Sequence, residues 1–174
     1  MLIRRETHAD IEAVRAVHTA AFADPEGPPG RTPAEAWLVD TLRADSGWIP
    51  ALSLVAVGTG GEIAGHVVCT RARVGRAEAL GLGPLGVLPG RQRQGIGHAL
   101  MHAVLGAADA LGEPLVVLLG HTGYYPRFGF RPAAEYGITP PVAEWAEHFQ
   151  VRTLATYDPS IRGDFVYAAP FRAL

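Results

Sequence analysis

The sequence predicts an α/β fold in which helices flank a mixed, mostly antiparallel sheet with a splayed central parallel pair of strands. Three stretches carry this prediction: β-forming segments between residues 52 and 88, an amphipathic helical pattern from Ile96 to Leu111, and a continuous apolar run from Pro114 to Gly120. A helix of this length is the usual crossover between parallel neighbours. We therefore expect the apolar run to lie beside the strand that precedes the helix.

The first 50 residues predict one strand and two helices. Residues 2–6 form the strand, and Asp10 is expected to cap the first helix. The inward-facing positions of that helix are Ile11, Val14, Val17 and Phe22. Residues 24–30 hold three prolines and two glycines, which predicts an exposed loop that borders a substrate cleft. A second helix from about Pro33 carries Trp37, which we expect in the core.

The middle of the chain predicts an antiparallel meander. Residues 52–57 and 62–74 are β-rich runs around a glycine-rich turn, which is typical of a hairpin. In the third run, residues 76–88, the alternation of apolar residues slips by one position across Gly83-Pro84. Since proline cannot donate to a strand ladder, this slip predicts a β-bulge that leaves backbone groups free.

The start of the next helix predicts an anion site. Ile96, Leu100, Ala103, Val104, Ala107 and Leu111 form its predicted buried face. Gly95 and Gly97 then lie in the first turn, although each helical glycine costs roughly 0.5–1 kcal/mol relative to alanine. Their presence suggests close approach of a ligand to the backbone. The free N–H groups of the turn suit phosphate, and Arg91 and Arg93 add positive charge beside it.

Other interpretations of these glycines are weaker. Gly81-x-Gly83-x-x-Gly86 satisfies the dinucleotide-binding pattern, but the strand continues where that pattern requires a helix. A nucleotide-hydrolase phosphate loop requires lysine, and the chain contains none. Gly95 and Gly97 could also serve only close helix packing.

Two motifs in this region resemble those of a known family. Residues 87–97, with Gln92, Gly95 and Gly97, resemble the acetyl-CoA signature of the GNAT superfamily of acyl-CoA-dependent N-acyltransferases. YYPRFGF, Tyr124 to Phe130, resembles the second signature of that family. Two signatures in the expected order are far more specific than either alone. The resemblance extends from the N-terminus to about Pro132.

The resemblance implies transfer of an acetyl group from acetyl-CoA, the acyl-donor cosubstrate, to a primary amine of a small molecule or protein. The amine attacks the thioester directly, through a tetrahedral intermediate. The resemblance places the pantetheine arm along Leu85, Gly86 and Val87, with the Val87 N–H as donor to the thioester oxygen. The implied diphosphate-binding residues are Gln92, Arg93, Gln94, Gly95, Ile96, Gly97 and His98.

The resemblance also implies that Tyr125 protonates the departing thiolate, with a purely structural role as the alternative. The general base is left open among Glu62, Glu78, His66, His121 and an ordered water. His121 is favoured because it follows the carboxyl end of a buried strand, where clefts are lined. An acyl-CoA-sensing module without transfer activity is the alternative function.

Length and composition limit the number of domains and the classes of partner that we expect. With 174 residues, we expect one domain over residues 1–174. The net charge is −2, and the fifteen basic residues, all arginine, are spread from Arg4 to Arg172, so no nucleic-acid partner is expected. The single cysteine, Cys69, forms no internal disulfide and is expected in the core. No apolar run is long enough to cross a bilayer, so we expect a cytoplasmic protein without a membrane partner.

No metal site is expected. His98 and His102 are four residues apart on a helix, but the pair lacks a third ligand and is better interpreted as a solvated face. A homodimer is left open by the sequence.

Overall fold

The computed structural model describes residues 1–28 and 30–173. The strands are β1 (Leu2–Arg5), β2 (Trp48–Val57), β3 (Ile63–Val74), β4 (Ala77–Val87), β5 (Leu115–Leu119), β6 (Arg131–Pro132), β7 (Ile138–Thr139), β8 (Phe149–Thr153) and β9 (Gly163–Val166). The helices are α1 (Ile11–Ala21), α2 (Ala34–Ala44) and α3 (Ile96–Ala110). The strand order is β1-β2-β3-β4-β5-β8-β6, with β9 pairing with both β3 and β7. The β4–β5 pair is parallel and the other neighbours in the main order are antiparallel, which confirms the predicted fold class.

The helices cover both faces of the sheet. Val67 of β3 packs in the cluster that contains Leu100 of α3, whereas Val68 packs with Leu38 and Leu42 of α2. Successive side chains on a strand point to opposite faces, so α3 and α2 lie on opposite sides of the sheet. α1 lies on the α2 side.

The hairpin, the bulge and the parallel pair are confirmed. β2 and β3 pair up to Val57↔Ile63, next to the glycine-rich turn. Between the β3–β4 pairs Val67↔Leu85 and Cys69↔Leu82, β4 contains one residue more than β3, so the bulge lies where the alternation slips. Within the described strands, β4 pairs with β5 only at Leu80↔Val116 and Gly81↔Val117, and the two strands separate beyond that point.

Two predictions at the N-terminal helices are wrong. Asp10 precedes α1 but makes no side-chain capping bond to it; its carboxylate accepts instead from the Thr7 N–H at 2.7 Å and from Arg4 at 2.6 Å. Trp37 is 62% exposed. The buried positions of α2 are Ala36, Leu38, Val39 and Leu42. Successive helical residues are rotated by about 100°, so these four buried positions lie on one side of α2 and Trp37 lies on the opposite side.

α3 follows the prediction over most of its length. Ile96, Leu100 and Val104 are buried, as expected, and Met101 and Leu105 widen the buried face. Leu111 is 50% exposed because the helix ends at Ala110, so that part of the prediction is wrong. No helix in residues 1–28 or 30–173 combines the length and apolarity needed to cross a membrane.

The C-terminal strands agree with the sequence to within a few residues. The sequence predicts closing strands at residues 148–156 and 164–168 and a further strand that begins at Gly129. β8 lies inside the first closing segment, and β9 begins one residue before the second. The strand predicted at Gly129 begins at Arg131 instead, because Gly129 has a φ of 85° and terminates the preceding 3-10 turn. Cys69 is fully buried, as predicted, and burial raises the pKa of its thiol.

Candidate functional site

A cleft opens where β4 separates from β5, beside the N-terminus of α3. A cavity of about 530 Å³ lies there, bounded by Leu85 and Val87 of β4 and by the turn that leads into α3. Leu88 N–H donates to Ala64 O of the neighbouring hairpin at 3.0 Å. Because backbone N–H groups alternate in direction along a strand, the N–H of Val87 points toward the open edge. The cleft therefore offers an unpaired strand edge to an extended ligand.

The turn before α3 presents its backbone to the same cavity. Gly95 is the N-cap residue, with a left-handed φ of 83° that glycine adopts without strain. The first intrahelical hydrogen bond runs from Ala99 N–H to Gly95 O, at 2.9 Å. The N–H groups of residues 96–98 come before this first bond, so they have no acceptor within the helix. They lie at the positive end of the helix dipole. This geometry suits a phosphate group.

Three arginines line the cavity. Arg93 belongs to the predicted turn, and Arg91 and Arg127 flank it from two sides. The Arg91 guanidinium pairs with Glu62, while the Arg127 guanidinium lies 4.8 Å from the centre of the Tyr124 ring. Arginine forks match phosphate oxygens, so the charge on this side of the cleft favours an anionic ligand.

The structure brings most of the predicted cofactor-binding residues together. Leu85, Val87, Gln92, Arg93, Gly95, Gly97 and His98 line the cavity. Ile96 is instead buried in the core, and the Gln94 side chain donates to Gly90 O at 3.2 Å. Gly86 faces α1 on the other side of β4, where a Cβ would lie 2.8 Å from His18 Nδ1.

Sequence reasoning missed two lining residues, Tyr124 and Arg127. Both belong to the YYPRFGF motif, in which the family resemblance assigns a role to Tyr125 only. The Tyr124 hydroxyl lies 3.1 Å from where a Cβ on Gly97 would be, so this motif meets the first turn of α3. Burial raises the pKa of Tyr124, and the Arg127 charge opposes that shift.

Tyr125 lies just beyond the end of β5, at the start of a 3-10 turn over Tyr125–Phe128. A Cβ on Gly120 would collide with the Tyr125 ring, so a glycine there lets the ring fold back over the strand end. Burial raises the pKa of Tyr125 to about 12. The phenol is therefore protonated at neutral pH and has a proton to donate.

The four candidate bases have different surroundings. Glu62 is paired with Arg91, and Glu78 is exposed with Arg71 3.7 Å away. His121 is exposed after β5, and its carbonyl accepts from the Tyr124 N–H at 3.0 Å. His66 is completely buried in β3.

His98 and His102 form the exposed pair expected on α3. Their Nε2 atoms are 3.0 Å apart, and both rings contact Phe128. Among residues 1–28 and 30–173, no group of three or more metal-ligating side chains comes together.

Comparison with known proteins agrees with this geometry. The family model of the acetyltransferase (GNAT) domain matches residues 2–133. The uncharacterized N-acetyltransferase YjhQ of Escherichia coli K12 is 32% identical over 170 residues, which cover 93% of this chain and 89% of YjhQ. This chain belongs to the GNAT acetyltransferase family. The two motifs of the cleft, at residues 87–97 and 124–130, both lie inside the matched region.

Solved GNAT structures share the whole fold. The GNAT family N-acetyltransferase YhbS of Escherichia coli, solved in complex with CoA, is 30% identical with a TM-score of 0.87, covering 98% of this chain and 91% of its own. A GNAT acetyltransferase of Brucella melitensis, solved in complex with acetyl-CoA, is 35% identical with a TM-score of 0.78, covering 98% and 97%. The likeness therefore includes the C-terminal strands, beyond the residues that the family model matches.

Proposed function

We propose that this protein is an N-acetyltransferase that moves an acetyl group from acetyl-CoA to a primary amine by direct attack, with residues 1–174 acting as one catalytic domain. The observation that carries the proposal is the cleft between β4 and β5, which combines an open strand edge with the N-terminal turn of α3. An extended amide-containing arm ending in a diphosphate fits those two features. The CoA and acetyl-CoA complexes of the two similar GNAT proteins support the same ligand.

The residues present fit acetyl-CoA group by group. The turn amides around Gly95 and the guanidinium groups of Arg93 and Arg127 suit its phosphates. The free edge of β4 can pair with the amides of the pantetheine arm. In this arrangement the Val87 N–H donates to the thioester oxygen and stabilises the oxyanion that forms when the amine attacks.

The leaving thiolate needs a proton, and we assign its donation to Tyr125. The Tyr125 ring packs on Gly120 just after β5, next in sequence to the cleft-lining Tyr124, and its phenol is protonated at neutral pH. A positioned acid of this kind contributes about 10²–10⁴ in rate. His121 stays the sequence-based candidate for general base.

We place the acceptor amine on the face of β4 opposite α3. A cavity of about 680 Å³ there is lined largely by apolar and aromatic side chains, including Trp145, Tyr167 and Phe171. The Tyr167 ring packs on Gly81 of β4, which brings this cavity to the strand that also borders the cleft. Asp164 and Arg172 are the charged lining residues, both exposed, and Asp164 offers a carboxylate to the amine. This composition favours an amine carried on an apolar or aromatic body.

The test is amine-dependent release of CoA thiol from acetyl-CoA, with phenethylamine, spermidine and a lysine-containing peptide as acceptors. We expect the fastest release with phenethylamine, together with one added acetyl group in the product by mass spectrometry. N,N-dimethylphenethylamine is the matched control, because a tertiary amine cannot yield a neutral amide. Tight binding of acetyl-CoA without release for any amine would support the acyl-CoA-sensing alternative instead.

A further inference from the structure

A continuous chain of buried hydrogen bonds runs from the surface to β4 on the face covered by α1. Glu6 follows β1, Ser53 lies on β2, His66 on β3 and His18 in the last turn of α1. Ser53 Oγ is hydrogen bonded to Glu6 and lies 2.9 Å from His66 Nε2. His66 Nδ1 lies 2.8 Å from His18 Nε2. His18 and His66 are both 0% exposed.

The direction of each hydrogen bond follows from the charge on Glu6. Burial alone raises the pKa of this carboxyl, but hydrogen bonds from His66, Ser53 and Arg43 lower it to about 2, so it is ionised and can only accept. The Ser53 hydroxyl donates to it and therefore accepts from His66 Nε2–H, which also lies 3.3 Å from Glu6 Oε2. His66 Nδ1 is then a lone pair, which accepts from His18 Nε2–H. His18 Nδ1 is left as an acceptor.

That last nitrogen is unpartnered. Within the described residues, His18 Nδ1 is fully buried and has no hydrogen-bond partner, although a buried polar atom left unsatisfied costs stability. It faces Gly86, whose neighbours Leu85 and Val87 line the cofactor cavity from the other face of β4. Only glycine fits here, because a Cβ would lie 2.8 Å from the nitrogen.

The other end of the chain reaches a second opening. Glu6 and Ser53 line a surface cavity of about 300 Å³, together with Thr7 and Trp48. Arg43 of α2 also borders this cavity and donates to Glu6 Oε1 at 2.6 Å. The hydrogen bonds thus run in one direction, from the strand that borders the cleft to a solvent-accessible carboxylate.

Acetylation of a protonated primary amine releases a proton. The ammonium group loses two protons as the N–C bond forms and the C–S bond breaks. One proton ends on the CoA sulfur as thiol, and the other must leave the site.

We propose that the His18–His66–Ser53–Glu6 chain is the exit path for that proton, with His18 Nδ1, packed behind Gly86 of β4, as its first acceptor. The inference rests on the proposed acetyltransferase function. The amine proton moves to His18 Nδ1 while His18 Nε2–H passes to His66 Nδ1 and His66 Nε2–H to Ser53. The Ser53 proton passes to the Glu6 carboxylate, from which water in the surface cavity removes it. Reorientation of the hydroxyl and the two rings resets the chain.

The lowered pKa values of the two buried histidines favour passing a proton on over holding it. Burial, assisted by the neighbouring His66 and by the Arg43 charge and opposed by Glu6, lowers the pKa of His18 to about 2. Burial also lowers the pKa of His66, against the opposing effect of Glu6. Both rings are therefore neutral at pH 7 and their lone pairs are available. Bases this weak do not retain a proton, which passes on to the carboxylate and its water.

The first test needs no activity. Nitrogen-15 NMR of the histidine rings in the full chain should show His18 and His66 as neutral Nε2–H tautomers at neutral pH. A proton on His18 Nδ1 would remove the acceptor and overturn the proposal. This result stands even if no acceptor amine is found, so it separates failure of the proton path from failure of the acetyltransferase function.

The second test uses the amine with the fastest thiol release. In His18→Gln, the amide can still donate to His66 but cannot relay a proton. We expect kcat to fall about a hundredfold, with the KM for acetyl-CoA within about twofold of the original value. The loss should shrink as pH rises, because hydroxide can then take the proton. His148→Gln, which changes an exposed histidine outside the chain and the cleft, should keep kcat within about twofold.

If His18→Gln fails to fold, Glu6→Gln tests the far end of the same path. It removes the terminal proton acceptor without touching β4, and we expect a loss of kcat that is again relieved at high pH. Normal kcat in a folded His18→Gln or Glu6→Gln protein overturns the proposal. A large loss in His121→Gln alone assigns the proton to His121 instead.

Discussion

Two polar assemblies meet β4 from opposite faces near Gly86, and they are built in opposite ways. The cleft turn consists largely of neighbours in the sequence, residues 92–98, and offers backbone N–H groups and arginine side chains to a ligand. The chain that ends at His18 joins four separate elements and consists of buried side chains. The first is a local motif and is visible in the sequence. The second exists only once the sheet has formed.

The comparison also separates binding from proton transfer. The cleft turn is charged and open, so it is suited to hold an anionic cosubstrate. The buried chain contains one carboxylate and two neutral rings, so it is suited to move a proton. Changes in the turn should therefore alter affinity, whereas changes in proton-handling groups should alter turnover.

The largest expected effect tests the proton donor on the cleft side. Tyr125→Phe keeps the ring against Gly120 and deletes only the hydroxyl. We expect kcat to fall by about tenfold to a thousandfold, with acetyl-CoA affinity little changed, because a positioned acid acts mainly in the transition state. The measurement is steady-state kinetics where chemistry limits the rate. Tyr124→Phe is the matched control, and a larger loss there would move the acid to Tyr124.

The next effect concerns affinity at the turn. In Gly95→Val, a β-branched residue must adopt a φ of 83°, and its side chain enters the space next to the turn amides. The side chain blocks close approach of a phosphate to the turn amides, so acetyl-CoA binding should weaken by about tenfold to a hundredfold in calorimetry. The strained backbone separately costs of order 1–3 kcal/mol in folding stability. Gly106→Val is the control, since Gly106 is exposed in α3 and a Cβ there meets nothing within 4 Å. Equal affinity in the folded Gly95 variant would exclude the turn as the phosphate site.

The same contrast explains how far the sequence could predict this molecule. The hairpin, the bulge at Gly83-Pro84 and the cleft turn depend on contiguous residues, and their outlines were predicted. The exposure of Trp37 and the bonding of Asp10 to Arg4 depend on which helix face meets the sheet and on a neighbouring strand. The pairing of His18 with His66 spans 48 residues, and no spacing rule indicates it.

A smaller effect probes the contact between the two assemblies. In Gly86→Ala, the new methyl group would lie 2.8 Å from His18 Nδ1 and 3.0 Å from its Cε1. Because both α1 and β4 are held by packing, we expect a loss of about 1–3 kcal/mol in the free energy of unfolding, measured with urea. Turnover should also fall, since the ring is displaced from the strand. Unchanged stability and turnover would show that α1 can shift without consequence for β4.

The smallest expected effect is the acid sensitivity of the buried histidines. Both have folded-state pKa values below the ordinary 6.5, so the unfolded chain binds more protons than the folded one as pH falls below about 6.5. Their contribution to stability is complete above that pH and is lost below it, at roughly 1.4 kcal/mol per pH unit for His18, whose pKa falls to about 2, with a further loss from His66. Glu6, lowered from 4.5 to about 2, adds to the loss only in more acidic solution.

Urea unfolding at about pH 6.5 and about pH 5 measures this slope. The free energy of unfolding should fall by up to about 2 kcal/mol over that interval from His18, with a further loss from His66, and His18→Gln should remove the His18 share. His121→Gln, which changes an exposed ring, should leave the slope as it is. If stability does not change between the two pH values, at least one buried ring already carries a proton on folding. That ring would then be a base of at least ordinary strength, which retains a proton instead of passing it on to Glu6.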